Sequence, residues 1–191
     1  MVDILVVGGG IAGLSVAGRL SKSAKVTLLE AEENLGYHSS SRSAAAFIED
    51  YGNEVIREFN SASKSFLSKD GVDVLSPRGS LILGKKDEKY AFKEQCSSFA
   101  HNEISVSDAR SLIEIINNKS VEYAGYKEDI FDIDTDKLLQ HFTKDIKANG
   151  SEIYTDSKVI AADFKEGKWY ITTDRKTFIC DVIVNAAGAW V

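Results

Sequence analysis

The strongest constraint on the fold of this chain is a glycine-rich turn between an apolar segment and a helical pattern. Residues 8–13 read Gly-Gly-Gly-Ile-Ala-Gly and follow the apolar run 2–7. Small and apolar residues recur at helical spacing over 11–22, and a second apolar run, 25–29, ends in Glu30. This order predicts a βαβ unit within an α/β, Rossmann-type domain, a parallel sheet with helices on both faces.

The turn has the spacing that binds a dinucleotide pyrophosphate. Gly8 permits the tight turn, Gly10 lets phosphate approach the backbone, and Gly13 lets the helix pack closely on the strand. Ile11 and Ala12 open the helix, whose free N–H groups and positive dipole end favour an anion. The sequence therefore predicts a dinucleotide site at this turn.

A carboxylate stands where the ribose of such a ligand would lie. Glu30, followed by Ala31, can accept hydrogen bonds from both ribose hydroxyls, and it repels a 2′-phosphate, which disfavours NADP. Two features favour FAD over NAD: the apolar run 181–185 that ends in Ala-Ala-Gly, and the serine-rich loop 39–43. The glycine turn and Glu30 alone leave NAD and FAD both open.

Composition excludes several other classes of protein. The chain has 191 residues, 43% of them hydrophobic and 27% charged, which is typical of a folded globular protein. Its net charge of −6 comes without a basic cluster, which argues against nucleic acid as a partner. Cys96 and Cys180 lack metal-ligand spacing. No signal peptide or transmembrane segment is recognisable, so a cytoplasmic location is expected.

The remaining elements are predicted less sharply. Amphipathic periodicity predicts helices over 53–67, 88–100 and 135–148, and a helix over 107–116 that is capped by Ser107. Short strands are expected at 81–83, 153–154, 159–164, 168–173, 177–180 and 181–185. The single proline, Pro77, is interpreted as a crossing point between domains.

Several motifs together resemble one family, the FAD-dependent amine oxidoreductases of the D-amino-acid oxidase and glycine oxidase type. Within it the chain is most similar to D-amino-acid dehydrogenases that act on D-arginine. The motifs span the chain: the turn 8–13, Gly-Tyr-His-Ser-Ser-Ser-Arg-Ser-Ala-Ala at 36–45, Leu-Ser-Pro-Arg at 75–78, Asp-Ile-Asp-Thr-Asp at 132–136, and Asn-Ala-Ala-Gly-Ala-Trp at 185–190. Ser80 provides no carboxylate for a basic side chain, so D-arginine itself is not supported.

The resemblance implies noncovalent FAD and assigns further residues to its site. His38 would lie near the flavin and the substrate amine, where a neutral imidazole can hold or deprotonate an ammonium group; the alternative is a loop histidine that bonds only to the backbone. Arg42 would neutralise pyrophosphate charge or pair with a surface acid. The other residues implied to bind the cofactor are Ser39, Ser43, Ala44, Ala45, Val159, Ala187, Gly188 and Trp190. No metal site is expected.

The resemblance also implies a domain division and an activity. Residues 1–77 and 133–191 would form the FAD-binding domain, and 78–132 would begin the substrate, or cap, domain. Family members are about twice as long, so this chain is expected to be the N-terminal part, with the carboxylate-binding arginine beyond residue 191. The expected reaction converts an amine, most simply a D-amino acid, into an imine, with oxygen or another electron acceptor reoxidising the flavin. The alternatives are an NAD-dependent dehydrogenase and a non-catalytic dinucleotide-binding module.

Overall fold

The structure, a computed structural model, describes residues 2–190 and contains two compact units. The first unit comprises the residues up to Ala44 and those from Thr135 onward; the second is Ala45–Asp134. The first unit contains the strands β1 (Val2–Val7), β2 (Val26–Leu29), β9 (Glu152–Tyr154), β10 (Val159–Lys165), β11 (Lys168–Thr173) and β12 (Thr177–Asn185), and the helices α1 (Ile11–Leu20) and α5 (Thr135–Ala148).

The first unit is built on one six-stranded sheet in the order β10-β11-β12-β1-β2-β9. Strands β12, β1, β2 and β9 are mutually parallel, with Val7 of β1 opposite Leu29 on one side and Asn185 on the other. The hairpin of β10 and β11 continues the sheet with antiparallel pairing. The carboxyl ends of β1, β2 and β12 therefore meet at one edge, and the predicted Rossmann-type fold class is confirmed.

The core of the first unit has two parts. The two helices pack on each other, and Gly18 of α1 lies against the ring of Phe142 in α5. Among the strands, Leu5 and Leu29 are buried with Ile171 of β11, and Trp169 packs onto the same cluster. The placement of helices on both faces of the sheet stays a prediction.

The second unit contains two small antiparallel sheets. One has the order β3-β8-β4 and the other the order β5-β7-β6. The strands are β3 (Ala46–Ile48), β4 (Leu75–Pro77), β5 (Ser80–Gly84), β6 (Asn102–Ile104), β7 (Tyr123–Lys127) and β8 (Ile130–Ile133), and the helices are α2 (Glu54–Leu67), α3 (Lys89–Ser98) and α4 (Val106–Leu112). Pro77 ends β4 and lies inside this unit, where the sequence suggests a crossing between domains.

The division into compact units falls elsewhere than the predicted domain boundaries. Segment 45–77, assigned from the sequence to the FAD-binding domain, shares its sheets with 78–134, because β3 and β4 both pair with β8. Residues 1 and 191, at which the predicted FAD-binding domain begins and ends, lie outside the described residues. The roles of the two units in binding cofactor and substrate stay predictions.

Two elements differ from the prediction for a visible physical reason. Helix α4 begins one residue earlier than predicted and ends at Leu112, and the Ser105 hydroxyl caps it in place of Ser107 by accepting a 3.0 Å hydrogen bond from the Asp108 N–H. The segment predicted as two strands is the single strand β12, because its first half pairs with β11 up to Cys180 and its second half pairs with β1 from the same residue onward.

Helix α2 buries part of its predicted apolar stripe. Val55 and Phe59 in its first half are 57% and 67% exposed, whereas Leu67 at its end is buried. The side chain of Asn60 donates to the carbonyl oxygens of Ile48 and Glu49. These hydrogen bonds tie the middle of α2 to the end of β3 in its own unit.

Cys96 and Cys180 are both buried and unpaired. Burial raises the pKa of each thiol, so both are protonated at neutral pH. Within residues 2–190 no cluster of three or more His, Cys, Asp or Glu side chains is placed to hold a metal ion. No helix in the same part of the chain is long and apolar enough to cross a membrane.

Candidate cofactor site

A cleft of about 620 Å³ opens at the carboxyl edge of the parallel strands. Its wall includes the last residues of β1, β2 and β12, namely Val7, Leu29 and Asn185. This is the edge at which open α/β sheets bind their ligands, and the volume lies within the range of small-molecule sites. The site is thus positioned by the sheet, and the loops that follow the strands supply its side chains.

The glycine turn is packed so closely that side chains are excluded at two positions. Gly8 has a φ of +107°, and a Cβ there would lie 2.3 Å from the Ala186 carbonyl oxygen. A Cβ at Gly13 would lie 1.9 Å from the Gly8 carbonyl oxygen. At Gly10 the Ser40 hydroxyl, at 3.1 Å, is the one neighbour that a Cβ would meet within 4 Å among residues 2–190. Gly10 therefore presents bare backbone to the cleft.

Glu30 is held by the backbone around it. Its Oε2 accepts a 2.6 Å hydrogen bond from the Gly9 N–H, and its Oε1 accepts a 2.9 Å bond from the Glu32 N–H. The Glu30 carbonyl oxygen accepts from the Ser157 N–H. Since each carboxylate oxygen has room for a second donor, the residue can hold two ligand hydroxyls while keeping these contacts.

The serine loop reaches the start of α1. The Ser40 hydroxyl oxygen accepts a 3.0 Å hydrogen bond from the Ile11 N–H, and the Gly36 N–H donates to the Gly9 carbonyl oxygen at 2.9 Å. The loop contains a short 3₁₀ turn at Ser39–Ser41. These two contacts fix the loop beside the glycine turn. The Ser40 O–H can still donate a hydrogen bond to an acceptor in the cleft.

His38 lies among three side chains. Its Nε2 is 3.0 Å from Oε1 of Glu32, and its ring lies over that of Trp190 with a centroid separation of 4.1 Å and an angle of 33° between the planes. The neighbouring Tyr37 ring meets it edge-on at 5.1 Å. The imidazole is half-exposed and lines the cleft, so its surroundings combine one carboxylate with two aromatic rings.

Most residues assigned from the sequence line this one cleft. No single motif indicates that the others lie beside it. Those that line it are Gly8, Gly10, Ile11, Ala12, Glu30, Ala31, His38, Ser39, Val159, Ala187, Gly188 and Trp190. Gly13 lies behind the turn. The residues outside the lining are Arg42, Ser43, Ala44 and Ala45. The Arg42 Nε donates to the Tyr37 carbonyl oxygen at 3.1 Å, and the pyrophosphate contact implied for Arg42 stays a prediction.

Sequence reasoning missed the lining residues Glu32, Ser157 and Lys158. Ser40 and Asn185 also face the cleft; they belong to motifs that carry the family resemblance but had no role of their own assigned. The run of serines at 39–41 signals a polar loop but does not say which hydroxyl reaches the helix. Glu32 could have been predicted to lie near the site, because it is two residues beyond the predicted ribose-binding acid Glu30. Ser157 and Lys158 follow β9 and have no sequence signature of their own.

Comparison with known proteins agrees with this geometry. A family model described as "DAO: FAD dependent oxidoreductase" matches residues 3–191. Solved structures with a similar fold include glycine oxidase from Geobacillus kaustophilus, with 17% sequence identity and a TM-score of 0.83. They also include L-alpha-glycerophosphate oxidase from Mycoplasma pneumoniae with FAD bound, with 19% identity and a TM-score of 0.80, and L-proline dehydrogenase from P. horikoshii, with 20% identity and a TM-score of 0.80.

The chain matches only part of each of these proteins. The match covers 99% of this chain and 56% of the glycine oxidase. For the glycerophosphate oxidase these shares are 97% and 54%, and for the proline dehydrogenase they are 98% and 53%. The chain therefore spans about half the length of these structures. TM-scores of 0.80 to 0.83 show a common fold for the matched part.

Proposed function

The chain belongs to the DAO family of FAD-dependent oxidoreductases, and on that premise we propose that it forms the FAD-binding part of an enzyme that oxidises an amine. The observation that carries the proposal is the cleft itself, in which a side-chain-free turn, the Glu30 carboxylate and the small residues Ala187 and Gly188 line one cavity. We propose that the chain is the N-terminal half of a cytoplasmic flavoenzyme, and that residues 78–132 begin its cap domain.

The residues present fit FAD. The bare backbone at Gly10 and the start of α1 suit a pyrophosphate, because both line the cleft at the positive end of the helix dipole, where the Ile11 N–H is bonded to the Ser40 hydroxyl. Glu30 suits a ribose, since both of its oxygens keep an open lone pair. Val159 and Ala187 line the cleft as the family motifs imply for adenine contact and for closing the site. Arg42, Ser43, Ala44 and Ala45 remain proposed contacts of the cofactor.

For the chemistry we propose an amine, most simply a D-amino acid, as the substrate. Bound FAD supplies the hydride acceptor. His38 would take a proton from the substrate ammonium group, which frees the nitrogen lone pair and so favours loss of hydride from the α-carbon. The product imine is then hydrolysed by water. The carboxylate-binding arginine that the family motifs imply is proposed to lie beyond residue 191.

The first test is the cofactor. Purified chain incubated with FAD and passed through a desalting column is expected to keep the visible absorption of a bound flavin and to release it on denaturation. FMN, which lacks the adenosine that Glu30 would hold, should be retained less well. Retention of NADH together with loss of FAD would contradict the proposal and favour a nicotinamide-dependent dehydrogenase.

Glu30→Ala should weaken FAD binding. The lost hydrogen bonds to a charged group are worth roughly 1.5–3 kcal/mol, which is about 10- to 100-fold in Kd. Fluorescence quenching on FAD titration measures the affinity. Glu33→Ala is the matched control, because Glu33 is exposed and outside the cleft lining. Equal affinities of the two variants would show that Glu30 does not hold the ribose.

The substrate class is tested separately on the FAD-loaded protein without oxygen. A panel of glycine, D- and L-amino acids and glycerol 3-phosphate is added, and bleaching of the flavin absorption is followed. The glycerol 3-phosphate is included because one structural neighbour is a glycerophosphate oxidase. Reduction by D-amino acids supports the proposal, whereas reduction by glycerol 3-phosphate alone would replace the amine by an alcohol.

A further inference from the structure

We propose that Glu32 is a positioning residue for His38, and that it acts together with Trp190. The inference deepens the proposed function and rests on it, since it concerns how the histidine assigned to the substrate amine is held. Its basis is the 3.0 Å contact between Glu32 Oε1 and His38 Nε2, combined with the 4.1 Å ring stacking on Trp190.

The Glu32 side chain starts from a fixed point. The backbone N–H of Glu32 donates to Glu30 Oε1 at 2.9 Å, and its carbonyl oxygen accepts from the Asp156 N–H at 3.0 Å. His38, in contrast, lies in a loop just before the 3₁₀ turn. The carboxylate is therefore the anchored partner of the pair, and the imidazole is the group whose orientation it determines.

This contact also determines which nitrogen of His38 is basic. An ionised carboxylate only accepts hydrogen bonds, so the His38 nitrogen that faces it, Nε2, must carry a proton. The lone pair of the neutral ring is then on Nδ1, which becomes the atom that takes a substrate proton. Stacking on Trp190 and the edge of Tyr37 restrict rotation of the same ring.

The orientation of His38 can be tested in the chain alone by NMR of its ring C–H groups. In the wild type these signals should be displaced upfield by the ring current of Trp190. We expect Glu32→Ala to move them toward the positions of free histidine, Glu32→Gln to restore most of the displacement because its amide oxygen can still accept from Nε2, and Glu33→Ala to change nothing. Unchanged signals in Glu32→Ala would overturn the proposal.

The catalytic consequence is tested with whichever amine reduces the flavin. Glu32→Ala should lower kcat roughly 10-fold, a part of the 10²- to 10⁴-fold that a general base contributes, with KM unchanged. Glu32→Gln should recover most of the rate. In a His38→Ala background the Glu32→Ala change should cost nothing more, since the group that it orients is gone.

The outcomes separate this inference from the function on which it rests. Losses of kcat that add in the double variant, or a normal kcat in Glu32→Ala, would overturn the positioning role in catalysis. If no amine reduces the flavin of the wild type, the proposed function fails, and the NMR comparison alone then decides whether Glu32 orients His38.

Discussion

Replacing Gly13 by alanine is expected to destabilise the chain by about 3 kcal/mol or more, a large share of the roughly 5–15 kcal/mol that holds a domain together. Helix propensity favours the change by about 1 kcal/mol, because alanine is the better helix former. The steric term has the opposite sign and is larger, since the new Cβ would lie 1.9 Å from the Gly8 carbonyl oxygen.

The turn has no room to relieve this clash. Gly8 is confined on its other side, where its own missing Cβ would lie 2.3 Å from the Ala186 carbonyl oxygen. Helix α1 must therefore move away from β1, which opens the core behind the cleft. Urea denaturation followed by circular dichroism measures the loss. Gly10→Ala is the matched control and should unfold near the wild-type midpoint, so equal midpoints for the two variants would refute the packing described for Gly13.

The βαβ unit was predictable because every local signal agrees there. Val2–Val7 is apolar except for Asp3, the turn residues fit one backbone geometry, and α1 has small residues where it meets its neighbours. The second unit offers no such agreement. Strand β7 contains Gly125, which is needed because a Cβ would lie 2.6 Å from the Cys96 sulfur. The sequence of β7 is therefore determined by packing between segments that are distant along the chain. A local stretch of sequence does not show such packing.

Helix α2 illustrates a second limit of sequence patterns. Its position was predicted to within one residue, and Asn53 caps it by accepting a hydrogen bond from the Ile56 N–H. Its orientation followed from the sequence in part, since Leu67 of the predicted stripe is buried whereas Phe59 is exposed. Periodicity locates the helix, but it does not predict the hydrogen bonds from Asn60 to the carbonyl oxygens of Ile48 and Glu49.

The cofactor site also has residues that the sequence predicts and contacts that it does not. The family resemblance read from the motifs is confirmed by the family match. Glu30 and the glycines followed from a fingerprint in which each residue has one role. The pairing of Glu32 with His38 did not follow, because it depends on how the loop between them folds back. Which serine hydroxyl reaches Ile11 is likewise a property of the loop backbone, and Ser40, not its neighbours, holds that place.

Gly10→Val is expected to abolish tight FAD binding while the fold is retained. Gly10 has an extended backbone at the start of α1, with a φ of −77°, which valine can adopt. A Cβ there would meet only the Ser40 hydroxyl, so the added methyl groups project into the cleft, over the N–H groups proposed to bind the pyrophosphate. Losing one or two charge-assisted hydrogen bonds costs about 3 kcal/mol, or roughly 100-fold in Kd.

Titration with FAD, followed by flavin fluorescence, measures this loss, and the urea midpoint checks that folding is intact. Gly10→Ala should fall between the wild type and Gly10→Val in affinity, because one methyl group intrudes less than an isopropyl group. The contrast with Gly13 separates two functions within one turn, since Gly13 is required for packing and Gly10 for access. If Gly10→Val bound FAD as tightly as the wild type, the pyrophosphate would have to lie elsewhere in the cleft.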